Sequence, residues 1–142
     1  MSAYTDTSFL VSLYVLDGNS ARAAAAMKSA PLPLSLSPLG EIEIANAFQF
    51  RLFRKELDRS QVKAAQKLFR EDLASGVIAL RPLSPAAFDE ARRLVEKHTR
   101  RLGTRSLDVL HVASALVLRA ETFYTFDEKQ RKLAKAEGLL VP

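Results

Sequence analysis

The 142-residue sequence predicts an α/β fold: a three-layer sandwich with a five-stranded, mainly parallel sheet flanked by about seven helices. Three observations predict it. Short apolar runs alternate along the chain with longer segments whose apolar residues recur at helical spacing, the pattern of strands that return to the same sheet through helical crossovers. Ser-Pro pairs and glycines punctuate these segments as helix starts and stops. The composition, 48% hydrophobic and 26% charged, is that of a chain with a packed core and argues against disorder. The length suits one domain over residues 1–142, and no repeat or linker divides it.

The elements follow in order. Ser2 to Thr5 reads as a short strand and Thr7 to Leu16 as a helix. Asp17-Gly18-Asn19 is a turn signal, followed by an alanine-rich helix from Ser20 to Ser29. Leu32 to Leu36 is a strand. Ser37 and Pro38 then supply a cap and a first helical residue for a helix running to about Lys55. From Asp58 to Gly76, Val62, Ala65, Leu68, Phe69 and Leu73 form one apolar face. Val77 to Leu80 is a strand, and Ser84-Pro85 opens a helix that Gly103 stops. Ser106 to Arg119 is apolar nearly all round, as in a helix buried in the domain. Thr122 to Phe126 is a strand, Glu128 to Glu137 a helix, and Leu139 to Val141 the fifth strand. Crossovers in such a sheet are right-handed, and ligands bind outside the carboxyl ends of its strands.

Composition narrows the function classes. The longest apolar candidate, Leu107 to Leu118, is interrupted by Asp108, His111 and Ser114, so no segment is expected to span a membrane. No basic segment precedes the first apolar run, which speaks against a secretory signal. There is no cysteine, which removes disulfides and thiolate metal sites and fits a reducing cytoplasm. The net charge of +5 is compatible with a polyanionic partner.

Four acids stand where such a sheet would bring them together. Asp6 follows the first strand in "YTDTSFLVSLY". Glu43 lies one turn into the third helix in "SPLGEIEIANAF". Asp108 opens the most apolar helix in "RSLDVLHVASA", and Asp127 follows the fourth strand in "FYTFDEKQ". Each has a local explanation. Asp127 with Gln130 fits a capping box, Asp108 in a first turn suits the helix dipole, and Asp6 can cap its helix. Glu43 shares a face with Leu39, Ala47 and Phe50, and Glu41 stands close by; periodicity does not choose between the two glutamates. Together, four carboxylates at one edge would repel. A divalent cation with oxygen preference, Mg²⁺ or Mn²⁺, resolves the repulsion and suits attack of water on a phosphodiester.

In that order the segments resemble the PIN-domain nucleases, specifically the VapC-type toxins of bacterial toxin–antitoxin pairs, over essentially the whole chain. The opening Asp-Thr-Ser, the "EIANAF" Glu with Asn-Ala three residues on, "GTRSLDVLHVASA" and "FYTFDEKQRKLAKAEGL" carry the resemblance. It implies a PIN-like five-stranded sheet and Mg²⁺- or Mn²⁺-dependent endoribonuclease activity with a metal-activated water. It further implies a homodimer and inhibition by a cognate antitoxin. It assigns Asp6, Glu43, Asp108 and Asp127 as the catalytic and metal-binding acids, selecting Glu43 over Glu41. Thr125 and Ser8 would support ligands or water. His111, one turn from Asp108, reads foremost as a core histidine. Arg100, Arg101 and Arg105, just before Asp108, are the candidate RNA contacts; Arg51, Arg54, Lys55 and Arg59 read as a solvated cluster. Two rivals share the fold class: a non-cleaving RNA-binding module, and a phosphorelay or phosphate-transfer domain using Asp6. The second lacks a lysine at a strand end.

Overall fold

A computed structural model describes residues 2–142; Met1, counted within the expected single domain, lies outside the described residues. Four strands form one parallel sheet in the order β3-β2-β1-β4. They are β1 (Ala3–Thr5), β2 (Leu34–Leu36), β3 (Ile78–Leu80) and β4 (Thr122–Tyr124). Between β1 and β2 run α1 (Thr7–Tyr14) and α2 (Ser20–Met27), and between β2 and β3 run α3 (Pro38–Phe53) and α4 (Arg59–Ser75). The return to β4 is made by α5 (Pro85–Leu94), which continues through a π-helical turn (Val95–Thr99) and a last turn (Arg100–Leu102), and by α6 (Ser106–Val117). The last helix, α7, is Glu128–Ala136.

The expected fifth strand is a correction. Leu139 to Val141 makes only a single parallel bridge, Leu140 to Thr122. Leu140 N–H donates to Glu121 C=O (2.9 Å) and Phe123 N–H donates to Leu140 C=O (2.8 Å). The next rung would need an N–H at position 142 for the Phe123 carbonyl, and Pro142 has none. On the other side the Glu121 N–H is already given to Ser2 C=O (2.9 Å). With both neighbouring rungs closed, the ladder stops at one, and among the described residues the sheet has four strands rather than five.

Alternation along the strands divides the core in two. Ala3, Leu34, Leu36, Ile78 and Tyr124 pack against Phe9, Leu10, Ile44, Phe48 and Phe69 from α1, α3 and α4. Tyr4 and Phe123 face the other side, with Leu94, Val109, Val112 and Leu133 from α5 to α7. The helices are set by local chemistry. The Ser37 side chain accepts from Gly40 N–H with Pro38 at the first position, and Asp58 and Gln61 make a reciprocal capping box. Gly76, at φ 84°, ends α4 in the left-handed region. Gly40 answers a different need. A Cβ there would stand 2.2 Å from Leu36 Cδ1, so glycine lets α3 lie tight on β2.

The chain leaves β1 toward β2 and β3, then returns to β4 on the opposite side of β1. The carboxyl ends of β1 and β4 are therefore the topological switch point, where open parallel sheets place their sites.

Candidate metal centre at the sheet edge

Asp6 is the first residue beyond β1 and is 1% exposed. Its backbone N–H donates to Tyr124 C=O (3.1 Å), tying it to the neighbouring strand end. It caps α1: Phe9 N–H donates to its Oδ1 (3.0 Å). Ser8 Oγ lies 2.8 Å from both carboxylate oxygens, and Thr125 Oγ1 donates to Oδ2 (2.6 Å). Burial pushes the Asp6 carboxyl up to about 6, while the Thr125, Phe9 and Ser8 bonds hold it down. Ser8 and Thr125 are themselves fixed, Ser8 accepting from Phe126 N–H (2.9 Å) and Thr125 from Asp127 N–H (2.9 Å).

Glu43 projects from α3 toward the same place, its side chain 27% exposed. Thr7 Oγ1 donates to Oε1 (2.9 Å), and His111 Nε2 bonds the same oxygen. Burial alone would raise its carboxyl; the bonds from His111 and Thr7 outweigh it and hold Glu43 below the usual range. Asp108, in the first turn of α6, accepts from Arg105 N–H (3.3 Å) and from Gln130 Nε2 (3.0 Å). Asp127 caps α7, accepting from Gln130 N–H (2.9 Å). Gln130 thus bridges the last two acids.

All four acids line one cavity of about 490 Å³, together with Ser8 and Gln130. Glu41 does not line it. Among the described residues no three His, Asp or Glu side chains stand close enough to hold one ion as a ready cage. The donor set is nevertheless all oxygen, as hard divalent cations require. Mg²⁺ is ordinarily held by one or two carboxylates with waters and a substrate phosphate completing the octahedron, so an open set of carboxylates fits it.

The candidate arginines separate. Arg105 lines a neighbouring cavity of about 290 Å³ with Asp108, Asp127 and Lys129. Arg101 instead lies against His98, 3.4 Å from its Nδ1, and Arg100 is exposed on the turn before Gly103. The arginine lining the acidic cavity is Arg51, whose guanidinium lies 3.7 Å from Asp17. Sequence reasoning placed Arg51 in a solvated cluster. The available signal was Glu43, Ala47 and Arg51 at successive i, i+4 positions, one stripe of α3. Thr7, Asp17, the reach of Gln130 to Asp108 and the Glu43 bond of His111 were also missed; Thr7 stands beside Asp6 and Gln130 one turn from Asp127 in the chain, whereas Asp17 was read only as part of a turn.

The PIN domain family model matches residues 3–136. No curated protein matches the chain in sequence. Among solved structures, similar folds include Mycobacterium tuberculosis VapC20, described as a sarcin–ricin loop cleaving toxin (TM-score 0.71, 18% identity, 98% of this chain and 97% of that one). A toxin–antitoxin complex from Klebsiella pneumoniae is similar at TM-score 0.66 and 17% identity, over 98% of this chain and 96% of that one. PAE2754 from Pyrobaculum aerophilum is similar at TM-score 0.66 and 19% identity, over 99% and 83%. At these identities the structures speak for the fold, and the family model, spanning nearly the whole chain, settles its membership: the chain belongs to the PIN domain family.

Proposed function

We propose that the chain is a metal-dependent endoribonuclease, the toxin of a VapBC-type toxin–antitoxin pair, which hydrolyses RNA phosphodiesters using Mg²⁺ or Mn²⁺. The observation that carries this reading is the meeting of Asp6, Glu43, Asp108 and Asp127, from separate elements of the fold, in one cavity at the switch point of the sheet. When bound, a divalent cation neutralises phosphodiester charge and acidifies water. Asp6, Glu43, Asp108 and Asp127, which line the cavity, are the residues that would offer it carboxylate oxygens.

The chain's own residues fix these oxygens. Thr125, Ser8 and the Phe9 N–H hold Asp6; Thr7 and His111 hold Glu43; Gln130 holds Asp108 and Asp127. Arg51, lining the acidic cavity, and Arg105, lining its neighbour, offer cations for the strand. The water oxygen bonds to phosphorus as the P–O bond opposite it breaks, and no covalent enzyme intermediate forms. The working unit in this reading is a cytoplasmic homodimer, silenced by a small antitoxin that covers the acidic cavity.

The test is incubation of purified protein with total RNA in Mg²⁺, in Mn²⁺ and with chelator, beside Asp6→Asn. Cleavage by the wild type with metal, and none with chelator or in Asp6→Asn, is expected. RNA retained but uncut under every condition would replace this reading with a non-cleaving RNA-binding module.

A further inference from the structure

We infer that His111, locked by Tyr4, is a positioning residue that pins one oxygen of Glu43 and leaves the other turned to the cation; the inference rests on the role proposed above for Glu43. Both hydrogen bonds to Glu43 land on Oε1, from Thr7 Oγ1 (2.9 Å) and from His111 Nε2. Among the described residues Oε2 accepts none. A glutamate on a helix has three side-chain torsions to lose, and a carboxylate anchored at one oxygen has lost most of that freedom before a ligand arrives.

The ring is held from its other side. A carboxylate can only accept, so His111 presents N–H at Nε2 to Glu43. In the neutral ring Nδ1 is then an acceptor, and Tyr4 Oη, 2.8 Å away, is the donor. Tyr4 is wholly buried with its ring stacked on Phe123 at 5.5 Å, and a phenol hydroxyl can donate to the free ring nitrogen. His111 is 1% exposed with both nitrogens engaged. A flipped ring would lose one bond or both. A histidine that merely joined α6 to β1 would need only the Tyr4 bond; the bond to a partly exposed acid on α3 is what a positioning role requires.

The experiment measures Mn²⁺ affinity of the purified protein by calorimetry at one pH, together with thermal melts and the ¹⁵N shifts of His111. His111→Leu should weaken Mn²⁺ binding about 10- to 100-fold, the usual loss when a partner of a metal ligand is removed. His111→Gln, whose amide can reach with an N–H where Nε2 stood, should recover most of it. In a Glu43→Gln background His111→Leu should add no further loss, since its effect acts through Glu43. Tyr4→Phe, which removes only a hydroxyl, should shift His111 from pure Nε2–H toward a mixture of tautomers and weaken Mn²⁺ in proportion. If His111→Leu fails to fold, Tyr4→Phe and His111→Gln carry the test. Binding of Mn²⁺ within twofold of wild type in folded His111→Leu or in tautomer-shifted Tyr4→Phe would overturn the inference alone, as would a His111→Leu loss that persists beside Glu43→Gln. A wild type that binds no Mn²⁺ would overturn the metal-dependent reading and this inference with it.

Discussion

Asp6→Asn is the change that best separates a helix cap from a charged site. Asn caps as well as Asp, so the Phe9 N–H keeps its acceptor, while the charge is gone. Burial raises the Asp6 carboxyl from its ordinary 3.8 to about 6. The folded state therefore holds this proton more tightly than the unfolded chain. The associated stability is complete below about pH 4 and is lost as the pH rises through about 6. At pH 8, with chelator, ionised Asp6 weakens the wild type by about 3 kcal/mol, at 1.36 kcal/mol for each pH unit. The amide gives back about 1 kcal/mol, because Thr125 Oγ1 can no longer donate to an anionic oxygen. A net gain of about 2 kcal/mol corresponds to roughly 6–10 °C for a domain of this size.

The assay is a pair of thermal melts from pH 4 to pH 8 with chelator, then a Mn²⁺ titration at pH 8 and constant ionic strength. Asp6→Asn should melt above wild type at pH 8, and the gap should close toward pH 4. Mn²⁺ should reverse the order, stabilising wild type by roughly 2.7 kcal/mol at about a hundred times its dissociation constant and the variant much less. A variant that melts below wild type by the same margin at every pH, or that gains as much from Mn²⁺, would refute the reasoning and leave Asp6 a cap.

Other outcomes follow from the same geometry. Glu43→Gln and Asp108→Asn should each lower RNA cleavage by more than about 100-fold, a larger loss than removing a ligand's supporting partner brings, with the fold intact by circular dichroism. Asp127→Asn should be milder; full activity in Glu43→Gln with loss in Glu41→Gln would reverse the choice of glutamate. Arg51→Ala should weaken RNA binding and lower the salt slope by about 1, as loss of one phosphate contact does, read by anisotropy on the inert Asp6→Asn protein. Overexpression should arrest growth, and co-expression of a small protein encoded alongside should relieve it; growth unaffected by overexpression would remove the toxin reading.

What was legible in the sequence was what neighbours in the chain decide. The starts of α1, α3, α4 and α7 fall where Asp6, Ser37, Asp58 and Asp127 cap them. The parallel sheet followed from the alternation. The fifth strand failed because an apolar run was read without its register. Pro142 was visible, but that it falls on a donor position is knowable only once Leu140 is paired with Thr122. His111 was read as a core histidine, and it is buried; its bond to Glu43 spans 68 positions, beyond any local pattern. Gln130 was read as closing a capping box with Asp127; only its backbone N–H bonds that acid, the Asp127 N–H goes to Thr125 Oγ1, and the Gln130 amide reaches Asp108 on another helix.

The local and functional explanations of the acids are not rivals. A parallel sheet puts the starts of its helices beside the carboxyl ends of its strands, and an N-cap puts a carboxylate at a helix start. Asp6 and Asp127 therefore reach the cavity because they are caps. Their two roles come apart by substitution. Asp127→Asn keeps an acceptor for Gln130 N–H, whereas Asp127→Ala removes it and should lower stability by a further ~1 kcal/mol. Neither leaves the charge. If the charge is what the site uses, the two variants share one loss of Mn²⁺ affinity and differ only in their melts; a Mn²⁺ response that tracked stability instead would mean the cap is the whole of what Asp127 contributes.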